Sequence, residues 1–263
     1  MKKRTAHGGL RLKNKKSFLS IKPKFSIITV VLNDKPGLKK TIKSILKQKF
    51  RNFEYLIIDG GSTDGTLNLL KKYNGKIDYW ISKKDKGIWD AVNKGILLSK
   101  GKYVNTLNAG DTYHSKNSLT IINDYFEKDD TVDFIFGTVK KNKVYHKYEP
   151  KKMFWSFNFY PAHSGGFFVK RIIHKKIGLY NLKYKCSSDY DFFWRLINKY
   201  RFKGTSTKKN ELISNFKLGG FSSTYTFFQH VLEETHIRMD NGQNKIVVIT
   251  IFLLRCIKNF YKL

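Results

Sequence analysis

Three aspartates lie at the end or the start of segments that are predicted to be strands or helices. Such a position would hold each carboxylate in a fixed place. Asp59 closes the apolar run "FEYLIID", Asp111 closes "YVNTLNAGD", and Asp189 lies in "SSDYD" at the start of an amphipathic stretch. Carboxylate oxygens bind hard cations such as Mg²⁺ and Mn²⁺. A carboxylate without a metal partner can instead remove a proton as a general base. The residue types therefore predict metal-assisted or acid–base chemistry.

The segment "LNAGD", residues 107–111, is the candidate metal site. It offers a single carboxylate, Asp111, whereas Mg²⁺ and Mn²⁺ prefer several oxygen ligands. The segment is a working metal site, a weakened metal site or only a turn. The residues alone leave these three interpretations open.

The segment "LIIDGGSTDGT", residues 56–66, combines a strand-end carboxylate with a tight turn. The glycines that begin at Gly60 would let a ligand or the backbone approach Asp59 closely. Their spacing does not match a GxGxxG or GK[ST] phosphate-binding loop. The structural alternative is that Asp59, Ser62 and Thr63 only cap the following helix.

The segment "DKGIWDAVNKG" places Asp90, Asn93 and Lys94 on one face near the start of a predicted helix, because residues three and four apart are neighbours on a helix surface. A helix N-terminus that faces a crevice suits an anion such as a diphosphate. The alternative is an ordinary solvated face with an Asp90–Lys94 ion pair.

The segment "SSDYD" supplies two acids, Asp189 and Asp191. If a helix begins there, their side chains point about 200° apart, so one can face a site while the other caps the helix. Asp189 is the candidate general base. Simple helix capping is the alternative for both residues.

The elements that must position these residues begin at Phe25, where β-branched apolar runs alternate with amphipathic stretches. Strands are predicted at 25–33, 53–61, 77–82 and 103–111, and helices at 36–48, 62–73, 87–101 and 118–128. Short strand–helix steps predict an α/β fold with a mostly parallel central sheet flanked by helices. Ligands bind beyond the carboxyl ends of such strands. We therefore expect Asn33, Asp59, 82–85 and 108–111 to converge on one crevice.

The alternation weakens after about residue 112. Further strands are predicted at 132–141 and 164–171, and a helix at 188–200. We expect one domain over residues 25–220, preceded by a basic tail at 1–24 and followed by a small helical extension at 221–263 that associates with a membrane or packs on the domain.

The charge of the chain is strongly positive, with 51 Lys and Arg residues against 20 Asp and Glu and a formal net charge of +31 over 263 residues. Such a field favours polyanionic partners. Most of these residues are Lys, which reads phosphate loosely, and no RNA-recognition motif is present, so sequence-specific nucleic-acid binding is not expected. The 2 cysteines lack metal-ligand spacing and fit a reducing, cytoplasmic setting.

Both ends of the chain are basic. Residues 1–24 carry nine basic residues and no acid, and they lack the apolar core of a signal peptide. This segment fits a disordered tail, attraction to an anionic membrane face, or both. Near the C-terminus, "IVVITIFLL" is too short to span a bilayer. It is either a buried last element or a stripe that lies in a membrane interface.

Five segments together resemble the family 2 inverting glycosyltransferases of bacterial capsule, lipopolysaccharide and exopolysaccharide synthesis. These segments, in order along residues 25–200, are "FSIITVVLN", "IIDGGSTDGT", "DKGIWDAVNKGI", "LNAGD" and "SSDYDFFWRL". The resemblance implies the GT-A fold and the transfer of a hexosyl or N-acetylhexosaminyl group from a nucleotide-sugar donor, by default a UDP-sugar.

The resemblance also implies roles for individual residues. The donor nucleotide would be bound by Thr29, Val31, Asn33, Asp59, Gly60, Asp90, Asn93 and Asn108. Asp111 would bind Mn²⁺ or Mg²⁺, although Asn108 and Gly110 replace acids of the usual motif. Asp189 would be the catalytic base, with Ser188 in place of the usual glutamate. His163 would flank the acceptor or the leaving group.

The acceptor implied by the resemblance is a glycan or a polyprenyl-diphosphate-linked sugar at the inner face of the cell membrane, where this basic chain would associate peripherally. A nucleotidyltransferase is a rival, but "LNDKPGLKK" is not the glycine-rich basic loop that such enzymes carry after the first strand. The other rival is a non-catalytic lipid- or nucleic-acid-binding protein on a decayed transferase scaffold.

Overall fold

The computed structural model describes residues 5–13, 22–142, 144–146 and 163–260. The strands are β1 (Ala6–Gly8), β2 (Phe25–Val31), β3 (Phe53–Asp59), β4 (Tyr79–Ser82), β5 (Tyr103–Thr106), β6 (Thr112–Tyr113), β7 (Phe134–Phe136), β8 (Thr138–Lys141), β9 (Val144–His146), β10 (Phe167–Lys170), β11 (Gly204–Ser206) and β12 (Leu212–Asn215). The helices are α1 (Lys35–Leu46), α2 (Thr66–Lys72), α3 (Ile88–Leu98), α4 (Ser118–Lys128), α5 (Arg171–Ile177), α6 (Ser188–Trp194), α7 (Phe227–Asp240) and α8 (Lys245–Lys258).

The central sheet has the strand order β1-β4-β3-β2-β5-β10-β7-β11. Strands β4, β3, β2 and β5 run parallel, as the sequence predicted. Their register aligns Val31 with Asp59 and Asp59 with Ser82, so the carboxyl ends of these strands meet at one edge. This confirms the predicted α/β fold.

Strand β2 shows why a continuous β-branched run marks a central strand. All seven of its residues are buried. Ile28 and Val30 pack into the core cluster that contains α3 and α6, whereas Phe25 and Ile27 pack into the cluster that contains α1 and α4. Helices on both faces leave no solvated side, which is the pattern expected for a parallel sheet.

A second sheet, in the order β6-β12-β8-β9, forms where the regular alternation ends. The single strand predicted at 132–141 is in fact β7 and β8, which lie in different sheets. Gly137 separates them, and a Cβ on this residue would come within 2.6 Å of Ile213. Strand β12 pairs with β6 and so brings Lys217 to the end of "LNAGD".

One expectation about the ends of the chain needs correction: part of the predicted basic tail is ordered, because β1 pairs with β4 at the sheet edge. The predicted helical extension at the C-terminus is present. The apolar run forms α8, which buries Val248 and Ile251, packs Phe252 against Phe228 of α7 and leaves five apolar residues exposed: Ile246, Ile249, Leu253, Leu254 and Ile257. In the described residues no helix has both the length and the apolar character needed to cross a bilayer.

Candidate active site

The turn after β3 is fastened to the end of β2. The Asn33 N–H donates to Ser62 Oγ over 2.7 Å, and the Thr63 N–H donates to Asn33 Oδ1 over 2.8 Å. Asn33 adopts a left-handed conformation, with φ at 51°, which asparagine tolerates better than most residues. Ser62 and Thr63 therefore do not cap α2. Asp64 accepts the hydrogen bond from the Thr66 N–H instead.

Asp59 is fully buried beneath this turn. Its carboxylate accepts hydrogen bonds from the Ser62 hydroxyl at 2.5 Å and from the Ser82 hydroxyl at 2.6 Å. The carboxylate thus links the ends of β3 and β4, and it fixes the turn that forms the floor of the crevice.

The remaining residues predicted on these strand ends point inward. Thr29 is fully buried, and its hydroxyl donates to the Leu107 carbonyl over 2.8 Å. Val31 packs in the core, while its carbonyl accepts from the Gly60 N–H over 2.9 Å. Only backbone atoms of Thr29 and Val31 are left for a donor. Position 60 favours glycine, because a Cβ there would lie 2.6 Å from the Asp85 carboxylate.

Asp85 lies against Gly60 at these strand ends, although no role was predicted for it. It is half-buried at the end of β4, opposite Gly60. Burial raises the pKa of Asp85, and the nearby Asp90 and Asp59 carboxylates add to this effect. Its position among the polar residues 82–85 after a predicted strand was the available signal.

Asp90 forms the ion pair with Lys94 that was the structural alternative to a role in donor binding. It pairs with Lys94 at 2.7 Å and accepts from the Lys86 N–H at 2.9 Å. Although burial raises the pKa of Asp90, these hydrogen bonds prevail and lower it overall. The carboxylate is therefore held ionised at the start of α3.

Asn93 does not face a donor as predicted. Its amide is committed on both sides, because Nδ2 donates to the Tyr180 carbonyl at 2.8 Å and Oδ1 accepts from the Tyr180 N–H at 3.0 Å. One helical turn earlier, Trp89 donates from Nε1 to the Lys185 carbonyl at 2.8 Å and stacks on Tyr180. Helix α3 thus holds the segment that leads to Asp189.

Asp189 and Asp191 have opposite environments. Asp191 is buried, pairs with Arg195 at 2.8 Å and accepts from Asn241, so it is structural rather than a cap. Asp189 is partly exposed and accepts one hydrogen bond, from the Tyr190 N–H at 2.9 Å; no side chain in the described part of the chain donates to it. Burial raises the pKa of Asp189 to about 7. A carboxylate of this kind can take a proton near neutral pH.

The "LNAGD" turn carries a second exceptional carboxylate. Asp111 is 3% exposed, and burial raises its pKa to about 7 even though Oδ1 accepts from the Lys217 N–H at 2.8 Å. Gly110 is required here, since its φ is +95° and a Cβ would lie 2.1 Å from the Lys217 side chain. Lys217 continues outward to pair with Asp34 at 2.8 Å.

The oxygen atoms that this turn offers suit a hard cation that phosphate oxygens also bind. Asn108 Oδ1 is buried and has no hydrogen-bond partner in the described residues, which suits a metal ligand. Within the described ranges, no group of three His, Cys, Asp or Glu could hold a metal ion by itself. Asp111 and Asn108 would therefore hold Mn²⁺ or Mg²⁺ only together with oxygens of a bound ligand.

His163 lies beside this turn. Its ring packs at a tilt against Phe216, with 4.6 Å between ring centroids, and Phe216 precedes Lys217. The next residue, Ser164, accepts a hydrogen bond from Asn108 at 3.4 Å. The structure thus places the predicted His163 beside the turn that contains Asn108 and Asp111, while Asp189 follows the Lys185 peptide that Trp89 of α3 contacts.

Comparisons with known proteins identify the family of the chain. A model of the family "Glycosyl transferase family 2" matches residues 26–194. A "PGL/p-HBAD biosynthesis glycosyltransferase" of Mycobacterium bovis is 28% identical over 177 residues, which cover 65% of this chain and 68% of the relative. An uncharacterized glycosyltransferase of Rickettsia typhi is 28% identical over 190 residues, covering 66% and 59% of the two chains.

Two solved structures share the fold. S. aureus TarS, residues 1–349, in complex with UDP-GlcNAc superposes with a TM-score of 0.64 at 16% identity, covering 89% of this chain and 73% of TarS. The mannosyltransferase PcManGT from Pyrobaculum calidifontis, in complex with GDP-Man and Mn²⁺, gives 0.63 at 14% identity, covering 88% and 68%. The chain therefore belongs to glycosyl transferase family 2 and is a glycosyltransferase of the GT-A fold.

Proposed function

We propose that the enzyme moves a sugar from a UDP-sugar to a hydroxyl of a glycan or polyprenyl-diphosphate-linked acceptor, with inversion at the anomeric carbon. The observation that carries this proposal is the partly exposed Asp189 carboxylate, to which no side chain in the described residues donates and whose pKa burial raises to about 7. In family 2 relatives this chemistry serves cell-surface polysaccharide synthesis, such as capsule or lipopolysaccharide, which we propose as its setting.

The reaction is a single displacement. Asp189 takes the proton of the acceptor hydroxyl as that oxygen forms a bond to the anomeric carbon. The bond from this carbon to the donor phosphate breaks at the same time, and the nucleoside diphosphate leaves. Asn33 and the turn held by Asp59 would bind the nucleoside part of the donor.

Negative charge on the leaving diphosphate must be stabilised. Asp111 and Asn108 would hold a Mn²⁺ or Mg²⁺ ion, and such an ion, when bound, neutralises charge on the diphosphate oxygens. The backbone N–H of Lys217 already contacts Asp111, and its ammonium, which pairs with Asp34 in this structure, would have to leave that pair to add positive charge near the diphosphate. The carboxylates Asp85 and Asp90, near the start of α3, would bind neutral sugar or ribose hydroxyls rather than phosphate.

Thermal unfolding tests the donor class. We expect UDP with Mn²⁺ to raise the melting temperature of the purified protein more than GDP, CDP or TDP, because a ligand at 100 times its dissociation constant adds about 2.7 kcal/mol. EDTA should remove most of the increase. If no nucleotide raises the melting temperature, the proposal fails in favour of a decayed scaffold that binds lipid.

We also propose peripheral binding to the cytoplasmic face of an anionic membrane, where such acceptors would lie. The support is α8, whose exposed face carries an apolar stripe: Ile246 is 76% exposed, Leu253 52% and Ile257 73%. Two exposed basic residues, Lys245 and Lys258, lie at the two ends of the same helix. An apolar stripe with a basic border suits the interface of an anionic bilayer.

Exchanging Ile246, Leu253 and Ile257 together for glutamine is expected to weaken binding to phosphatidylglycerol-containing vesicles on the order of 100-fold, if each buries enough apolar surface for roughly 1 kcal/mol. Vesicle sedimentation measures this. Single substitutions at Ile257 and at Leu97 form a matched pair, since Leu97 on α3 is 71% exposed. Equal effects of the two single substitutions would contradict docking through α8.

A further inference from the structure

Glu233 on α7 gathers three consecutive backbone N–H groups of the segment that leads to Asp189. Its carboxylate accepts from the N–H groups of Lys185 at 2.6 Å, Cys186 at 2.9 Å and Ser187 at 2.6 Å. The Cys186 thiol, 2.9 Å away, donates to the same carboxylate. Hydrogen bonds to an ionised acceptor are roughly twice as strong as neutral ones. One side chain therefore fixes the direction of three successive peptides.

These peptides run directly into α6, in which Asp189 is the second residue. Ser187 is the N-cap residue of α6, but its side chain makes no capping hydrogen bond. The start of this seven-residue helix consequently depends on contacts from outside it. Ser188 supplies one, donating to the Asn181 carbonyl at 2.8 Å.

The same segment is held from its other side by α3. Trp89 of α3 donates to the Lys185 carbonyl, while Glu233 of α7 accepts from the Lys185 N–H. Side chains of two helices therefore hydrogen-bond to the backbone of one residue. Cys186 has no nucleophilic role here, because burial and the Glu233 carboxylate raise the pKa of its thiol to about 12. The cluster is therefore built to hold a backbone path rather than to react.

We propose that Glu233 is a positioning residue for the reaction: it fixes the 185–187 path and thereby the place of the Asp189 carboxylate. This inference rests on the proposed role of Asp189 as the base. Because the Glu233 carboxylate is occupied by hydrogen bonds from residues 185–187, its loss should act on the chemical step and leave donor affinity unchanged. A displaced base loses rate steeply, since proton removal needs hydrogen-bond reach.

The test compares Glu233→Ala and Glu233→Gln with the wild-type chain. We expect kcat for UDP release from the UDP-sugar that best stabilises the protein to fall about 100-fold in Glu233→Ala, with the donor KM within 3-fold. Glu233→Gln should recover about 10-fold of this, because its amide oxygen can still accept from Cys186 and Ser187. Hydrogen exchange of the 185–187 amides should accelerate at least 10-fold in Glu233→Ala.

The matched control is Glu234→Ala, at the next residue of α7. Glu234 pairs with Arg255 of α8 and is outside the 185–187 contacts. Because Glu234 and Glu233 both raise the pKa of Asp189, kcat is compared at about pH 9, where Asp189 is ionised. There we expect kcat of Glu234→Ala within 3-fold of wild type, which separates positioning from general loosening of α7. An equal loss in both alanine variants overturns the inference, as does unchanged kcat in Glu233→Ala. Asp189→Asn separates failure of the proposed base from failure of the positioning role. If Asp189→Asn stays active, the assignment of Asp189 as the base is wrong, whatever the result for Glu233.

Discussion

Asp189→Asn is expected to lower kcat for sugar transfer about 10³-fold while leaving the dissociation constant for UDP within 2-fold. General-base catalysis contributes roughly 10²–10⁴-fold, and asparagine keeps the size of the side chain but cannot accept the proton. Donor affinity should persist because the donor turn at Asn33 is fastened to Ser62 and Thr63, not to α6. The measurement is UDP release under saturating donor, paired with calorimetric titration of UDP.

The control for this substitution is Asp124→Asn, at an exposed carboxylate on α4. It should leave both quantities unchanged. In the wild-type enzyme the base must be deprotonated, and burial raises the pKa of Asp189 to about 7. The rate should therefore rise with pH through about 7 and level off above it. Turnover by Asp189→Asn near the wild-type rate would refute the assignment.

The carboxylates show how far sequence reasoning reaches. The sheet was predictable because buried parallel strands read as continuous apolar runs, and the strand end at Asp59 followed from that. The predicted strand end at Asp111 was wrong, because β5 ends at Thr106 and Asp111 lies beyond it. The choice between Asp189 and Asp191 was not settled by spacing. It depends on Arg195 and Asn241, and the second of these comes from a segment 50 residues away in sequence.

Asn93 marks the limit of local reasoning from the other direction. Its place on a helix face was predicted correctly, but its partner is the backbone of Tyr180, 87 residues later. Glu233 could not be identified at all, because three of its four donors are main-chain groups, which leave no side-chain pattern. Sequence patterns report which residues share an element, whereas tertiary hydrogen bonds decide which side chains remain available.

Asp111→Asn is expected to abolish the metal-dependent part of donor binding, raising the dissociation constant for UDP in the presence of Mn²⁺ on the order of 100-fold. In the wild-type chain the Lys217 N–H donates to the Asp111 carboxylate over 2.8 Å. The amide oxygen of the variant can accept the same hydrogen bond, so the turn should keep its shape. What is lost is the negative charge, and a lost charged contact of about 3 kcal/mol corresponds to that factor. Calorimetric titration of UDP with Mn²⁺ and with EDTA measures both states.

The EDTA titration makes this prediction specific to the metal. Without a divalent ion, Asp111→Asn should bind UDP as well as the wild-type protein or slightly better, because the buried carboxylate no longer repels the diphosphate. Asp124→Asn should retain the full gain from Mn²⁺. If Asp111→Asn also retains it, the ion is held elsewhere, and Asn108 Oδ1, buried without a partner among the described residues, needs another explanation. If the wild-type protein gains nothing from Mn²⁺, the metal role of Asp111 fails, and its contact with the Lys217 backbone N–H is structural.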